Sequence, residues 1–391
     1  MSVKSCTLTD LSTELWLDRF SIDQNCGMKL AGSSEWSIHK RTLRGGVSEG
    51  VDVVTVNNGV LSFDVVPTRG MGLWRGHCQG VRLGWDSPAR FPVHPTFVNQ
   101  VAQNGCGWMT GFNEWICRCG LETLGRPATP PSGSDHSTAD NFTLHGHIAN
   151  IPANYVAAEV RDEDRGYLKI TGRIDESHLF GPNFLLETSI ESEVGSKSLT
   201  IRDRVTNRGS QPREVELMYH MNFGAPILSS ASRIVASVIE IASYDKQAAA
   251  SINSWSSFQE PTSGFIEQCY FLKLAEDAHG NTSVLLYNEN LGLGVLLSFC
   301  LAELPCFTLW KHTAGLGDGY VTGLEPGTNY PLPKSFERQN GRLTRLMPGM
   351  SYEASMHISI ITDHESLGAI KSQILSVQPH SSVLLRNHID N

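Results

Sequence analysis

The feature that most constrains this chain is an apolar alternation with a period of two, repeated along most of its length. Tyr352, Ala354, Met356, Ile358 and Ile360 alternate with Glu353, Ser355, His357 and Ser359. Leu199, Ile201 and Val205 alternate with Thr200, Arg202 and Arg204, and Leu168, Ile170 and Ile174 with Lys169, Thr171 and Arg173. Successive side chains of a strand point to opposite faces, so each pattern predicts a strand with one wet face. Apolar runs at 51–56, 61–66, 233–242, 283–287 and 294–299 predict inner strands. Turn residues punctuate them, among them Asn57-Asn58-Gly59, Arg208-Gly209, Glu325-Pro326-Gly327 and Pro348-Gly349.

Helical spacing is convincing in two places. Asp10 stands where it would cap a turn carrying Leu11, Leu15 and Trp16, and Asp363 where it would cap a helix carrying Leu367, Ile370, Ile374 and Val377. The βα alternation of a parallel α/β fold is absent. The expectation is an all-β protein, a large antiparallel sandwich with short N- and C-terminal helices. No repeat or linker divides it, so residues 1–391 read as one domain. Within it, 1–44 is an N-terminal extension with a helix, 45–362 the sandwich, and 363–391 a C-terminal helix and tail.

Composition excludes several function classes. Lys and Arg total 31 against 40 Asp and Glu, a net charge of −9, and no basic cluster occurs, so no nucleic-acid partner is expected. No apolar run approaches the roughly 18 residues of a membrane span, so no membrane partner is expected either. The nine cysteines are an odd number in a chain too long to need disulfide staples. Only Cys117 and Cys119 lie close, and their spacing is not that of a zinc ribbon. The first residues contain no apolar stretch of a signal peptide. These features predict buried free thiols and a cytoplasmic location.

Phosphate-loop, His-Glu-x-x-His and Gly-x-Ser-x-Gly motifs are all absent. Three polar clusters interrupt strand-like sequence instead. Leu144-His145-Gly146-His147-Ile148 follows an aperiodic stretch at 126–141, read as a lid, a site rim or a plain surface loop. If that cluster is a strand, His145 and His147 share a face. Met218-Tyr219-His220-Met221-Asn222-Phe223-Gly224 ends a strand running from 214 to 219. Gly323-Leu324-Glu325-Pro326-Gly327-Thr328 places a lone carboxylate at the end of the 320–324 run, just before a turn. The Gly-, Cys- and Trp-rich stretch at 105–125 suggests tight turns near a site wall.

Taken together, His-Gly after a loop, then His at a strand end, then Leu-Glu-Pro resembles the aldose 1-epimerase (galactose mutarotase) family across roughly residues 45–362. Leu346-Met347-Pro348-Gly349 and the Trp310-Lys311 pair fit the same resemblance. Pro67-Thr68-Arg69-Gly70-Met71 resembles a branch of epimerase-like proteins carrying Pro-x-Arg-Gly-Met and Leu-Glu-Pro motifs. The resemblance implies a β-supersandwich that interconverts sugar anomers without a cofactor. It implies Glu325 as base, His220 as acid, and His145 as a substrate-binding residue. His147, Arg69, Asn222, Trp310 and Lys311 are further candidates for holding a small-molecule sugar or sugar acid.

Rival readings stay open at this point. His147 stands where the family has a second glycine. His145, His147, His220 and Glu325 would then form a set for a divalent metal in an aldose–ketose isomerase or carbon epimerase. A glycoside hydrolase or lyase would need a second carboxylate, with Glu114, Glu122, Asp318 and Glu337 available. A non-catalytic carbohydrate-binding protein would need neither.

Overall fold

The structure is a computed structural model that describes residues 2–33, 35–127, 143–379 and 381–389. Among these residues the strands form two large sheets, one of ten strands and one of fourteen. Pairing is antiparallel throughout the named strands except where Val238–Ser243 meets Leu384–Arg386 in parallel. The ten-stranded sheet is built around the long alternating segments Tyr167–Ser177, Asn183–Glu193, Ser198–Asn207 and Ser351–Ile361. Their inward side chains, such as Ile170, Ile190, Ile201 and Met356, join Phe63, Leu73 and Tyr219 of the other sheet in one core. The alternation in the sequence is therefore the alternation between this core and solvent.

The core also encloses a polar cluster that locks the sheets together. Arg118, on Ile116–Leu121 of the fourteen-stranded sheet, pairs with Asp203 of the ten-stranded one, with both side chains at most 1% exposed. It also reaches Thr188 Oγ1 at 2.7 Å and Met71 O at 2.9 Å, while Tyr219 donates to Asp203 at 2.9 Å. Arg118 points into the core, so its neighbours Cys117 and Cys119 point to the opposite face, where they pack with Trp85 and Trp108.

Three expectations about elements are corrected. The N-terminal helix is a single 3₁₀ turn, Leu11–Thr13. Asp10 does cap it, but Glu14 is left-handed and Leu15–Trp16 is a strand. Leu11 is exposed, so no apolar stripe holds a helix there. The first 44 residues are strand-forming as well: Val3–Asp10 joins the ten-stranded sheet, while Arg19–Asp23 and Ser37–Thr42 join the other. The 233–242 run is two strands, Ser232–Ala236 and Val238–Ser243, one in each sheet. The chain crosses at Ser237, whose hydroxyl donates to Ile374 O at 2.5 Å, while Gln378 Oε1 accepts from Val238 N at 2.9 Å. Those partners belong to or follow the C-terminal helix His364–Ser376, which Asp363 caps as expected. Most of the 126–141 stretch lies outside the described residues.

Candidate active site

The site is built on the face of the fourteen-stranded sheet turned away from the core. Arg213–Phe223 lies between Ile116–Leu121 and Val321–Gly327, and Cys306–His312 pairs on the far side of the last. Cys117 pairs with His220, and Thr308 with Glu325. Between these, the register set by Met221–Leu324 and Met218–Gly327 puts His220 opposite Glu325. The ladder is open at that point, and Pro326 supplies the reason, since it has no N–H to donate. The expected turn at Glu325-Pro326-Gly327 is thus a correction: all three residues continue a central, fully buried strand.

His220 Nε2 lies 3.1 Å from Glu325 Oε1, with the side chains 5% and 2% exposed. Oε1 is buried and takes no conventional hydrogen bond among the described residues, so the imidazole edge is the polar group it meets. Gly323 shares this face, and a Cβ there would stand 2.4 Å from Oε1 and 3.1 Å from His220 Cε1. The missing side chain is what leaves room for the pair.

The other imidazole nitrogen is fixed. His220 Nδ1 and Asn222 Oδ1 are 2.8 Å apart, while Asn222 Nδ2 donates to Glu114 O at 3.0 Å and His220 O at 3.2 Å. Two carbonyls can only accept, so the amide nitrogen faces them, Oδ1 faces the ring, and Nδ1 carries the proton. Burial, reinforced by the nearby His145, holds the His220 imidazole well below its ordinary range. Burial, then Cys119 and Glu267, push the Glu325 carboxyl well above its own. Both shifts favour an uncharged pair, a neutral imidazole beside a protonated carboxyl.

Above this floor is a cavity of about 430 Å³. Trp108 and Phe112 form part of its wall, with ring centroids 4.6 Å apart, and Phe112 stands 4.9 Å from the His220 ring. Trp310 stands 5.5 Å from His220, and its indole nitrogen donates to Glu267 at 2.8 Å. His145 lines the same cavity, 5.4 Å ring to ring from His220. Its Nδ1 lies 3.1 Å from Leu124 O, a carbonyl that needs a donor, so Nδ1 holds a proton and Nε2 is the other nitrogen.

The structure therefore brings Glu325, His220, His145 and Trp310 together and leaves other candidates out. His147 is not on the cavity wall. His145 and Gly146 both have positive φ (58° and 68°), so the segment is a turn rather than a strand, and His147 bonds Gln100 Oε1 at 2.7 Å. Burial holds His147 below its ordinary range. The four-residue metal set is therefore not assembled, and among the described residues no group of three His, Cys, Asp or Glu side chains is arranged for a metal.

Arg69 is buried in a structural role. Its Nε donates to Glu114 Oε1 at 2.8 Å, its other nitrogens bond Gly111 O and Asn150, and it is 1% exposed. This pair anchors the segment that carries Phe112, and the Glu114 carbonyl takes Asn222 Nδ2. Asn222, fully buried, is thus a positioning residue for His220. Lys311 follows Trp310 on one strand and so points the other way, to Ser254 O at 3.2 Å between the rings of Phe258 and Tyr270. Burial brings it down to about 8.

Of the carboxylates available to a hydrolase, Glu114 is held by Arg69 and Glu337 by Arg342 and Tyr330 N. Glu122 lies 3.7 Å from His178 and off the cavity wall, whereas Asp318 lines it. The 105–125 stretch does furnish wall, through Cys106, Trp108, Met109 and Phe112. Glu267, His312 and Tyr244 also line the cavity, and no motif marks them in the sequence.

The family model for a domain of unknown function, DUF4432, matches residues 48–360. No curated protein matches the chain. A structure from Klebsiella pneumoniae subsp. pneumoniae MGH 78578, provisionally designated an aldose 1-epimerase, superposes with a TM-score of 0.93 at 32% identity, covering 100% of both chains. Galactose 1-epimerase from Lactobacillus acidophilus NCFM superposes at 0.51 with 11% identity, over 83% of this chain and 98% of that one. A galactose mutarotase-like protein from Lactobacillus casei ATCC 334 gives 0.50 at 12% identity, over 79% and 99%. The last two likenesses concern the fold. Sequence match and superposition agree: the chain belongs to the DUF4432 family, on a galactose mutarotase-like β-sandwich.

Proposed function

We propose that the protein is an aldose 1-epimerase-like isomerase that interconverts the anomers of a reducing sugar. The observation that carries this reading is the His220–Glu325 pair, 3.1 Å apart on the floor of an aromatic-walled cavity. Mutarotation needs one proton taken from O1 while another is delivered to the ring oxygen. Both oxygens hang on one carbon, so the two groups that serve them must stand side by side, as these do. In the ion-pair form, Glu325 takes the O1 proton, His220 Nε2 gives its proton to the ring oxygen, and the C1–O5 bond breaks to leave an aldehyde and a hydroxyl. The pair ends in the neutral form that burial favours. After C1 rotates, the same transfers run backwards and close the other anomer. Each group contributes roughly 10²–10⁴-fold by general acid–base catalysis.

His145, on the cavity wall, would bond a sugar hydroxyl, and Trp310 would lie along an apolar sugar face. No step in this scheme calls for a cofactor. The odd number of cysteines and their occurrence as nine single thiols favour a reducing compartment, the cytoplasm. Among the described residues no helix is long and apolar enough to cross a membrane. Polarimetry on freshly dissolved single anomers tests the reading. Wild-type protein should speed equilibration and Glu325→Gln should keep less than about a tenth of that rate. Saturable binding without acceleration would instead mark a binding protein.

A further inference from the structure

The lining of the cavity bears on substrate choice, and this step rests on the isomerase reading above. Its aromatic wall is extensive: Trp85, Trp108, Phe112, Phe271 and Trp310 all line it. Its stock of cations is small. Among the described lining residues the one Lys or Arg is Arg126. Arg126 is already engaged, 3.0 Å from Glu267 Oε1 and 4.6 Å above the Tyr244 ring. The sequence from 127 to 142 contains no Lys or Arg. Lys311, next to Trp310, points away to Ser254. Two further carboxylates, Glu267 and Asp318, line the same space.

We propose that this cavity selects an uncharged reducing sugar of low polarity, a deoxy or alkyl-substituted aldose, and discriminates against uronic acids and sugar phosphates. An anionic substituent would lose its water, find the one lining Arg already paired with Glu267, and face the Asp318 carboxylate. A hydroxyl pressed on an aromatic ring loses a hydrogen bond that the wall does not return. Replacing that hydroxyl by hydrogen removes the loss and adds apolar contact.

The test compares one hexose with its 6-deoxy form, its 6-phosphate and its uronic acid. Two readouts are taken: kcat/KM for anomer exchange, and quenching of tryptophan fluorescence, since Trp85, Trp108 and Trp310 line the cavity. The 6-deoxy sugar should exceed the hexose by about five-fold or more in both, and the two anions should fall below it by about 100-fold or more. A second variant keeps the result interpretable. Met109 lies on the cavity wall and is 50% exposed. Met109→Lys should raise the ratio of uronic-acid to hexose kcat/KM, and the corresponding ratio of affinities, at least about ten-fold. An anion that is handled as well as the hexose, or a 6-deoxy sugar handled worse, overturns the proposal. If no sugar is anomerised but the fluorescence order holds, the isomerase reading fails and the specificity stands.

Discussion

Asn222 decides which nitrogen of His220 faces Glu325. Its Oδ1 sits 2.8 Å from Nδ1 while its own amide nitrogen is committed to two carbonyls. The His220–Glu325 pair is therefore one end of a chain that runs through the Glu114 backbone to the buried Arg69–Glu114 ion pair. Replacing Asn222 by Leu frees the imidazole to flip or change tautomer. We expect kcat to fall about 10–100-fold with KM changed less than three-fold, as for loss of an orienting partner. Steady-state kinetics on one anomer checks the split; a change confined to KM would assign Asn222 to substrate binding.

Gly323 lies beneath the pair with no space above it. An added methyl at 2.4 Å from Glu325 Oε1 and 3.2 Å from Trp310 Cε3 must displace one of them. Gly323→Ala should cost about 1–3 kcal/mol in stability by overpacking. It should lower kcat/KM at least about ten-fold in the folded fraction. Wild-type turnover by this variant would show that the geometry at Oε1 is not what limits the reaction.

Two buried carboxyls outside the site make stability depend on pH. Burial raises Glu176 and Glu216 from the ordinary 4.5 to about 7, against bonds to Glu176 from the Leu121 and Glu122 N–H groups and to Glu216 from Lys334 and Asn329. Between pH 4.5 and 7 the folded chain holds protons that the unfolded chain has released. Their stabilising effect is therefore complete below 4.5 and is lost as pH rises towards 7. Melting temperature followed over this window should show that component, and Glu216→Gln should flatten it. An unchanged slope in the variant would mean that Glu216 titrates normally.

Lys311 gives the opposite sign. Its value, about 8, lies below the ordinary 10.5, so its component of stability rises with pH between 8 and 10.5. Lys311→Met should raise the melting temperature at pH 7 and remove that rise. It should leave kcat/KM within about two-fold, because the side chain is on the far side of the strand from the cavity. A loss of activity without a loss of stability would return Lys311 to the site.

The sandwich was legible because strand periodicity records burial directly, as in Ser351–Ile361 and Ser198–Asn207. The convergence of His145, His220 and Glu325 was legible through short motifs. Position within the site was less so, and each miss has a local cause. Trp310 and Lys311 differ by one residue on a strand, which separates the cavity from the interior. His147 follows two left-handed residues that break the assumed alternation. Pro326 reads as a turn, yet it sits in a central strand at the place where the ladder opens. Arg69 lies in a motif and looks functional, but its partners, Glu114 and Asn150, are 45 and 81 residues away in sequence and gave no local sign. Glu267 and Phe271 reach the cavity only through sheet order, which the sequence does not display.

In the proposed reaction Glu325 and His220 exchange protons with O1 and the ring oxygen of a sugar. Nuclear magnetic resonance in D₂O on a panel of neutral aldoses, with wild-type protein and Glu325→Gln, tests it most directly. Wild-type protein should accelerate exchange between α and β anomer signals with no deuterium incorporated at carbon, and the variant should lose at least about nine-tenths of the acceleration. Deuterium entering a carbon, or undiminished exchange with Glu325→Gln, would contradict it.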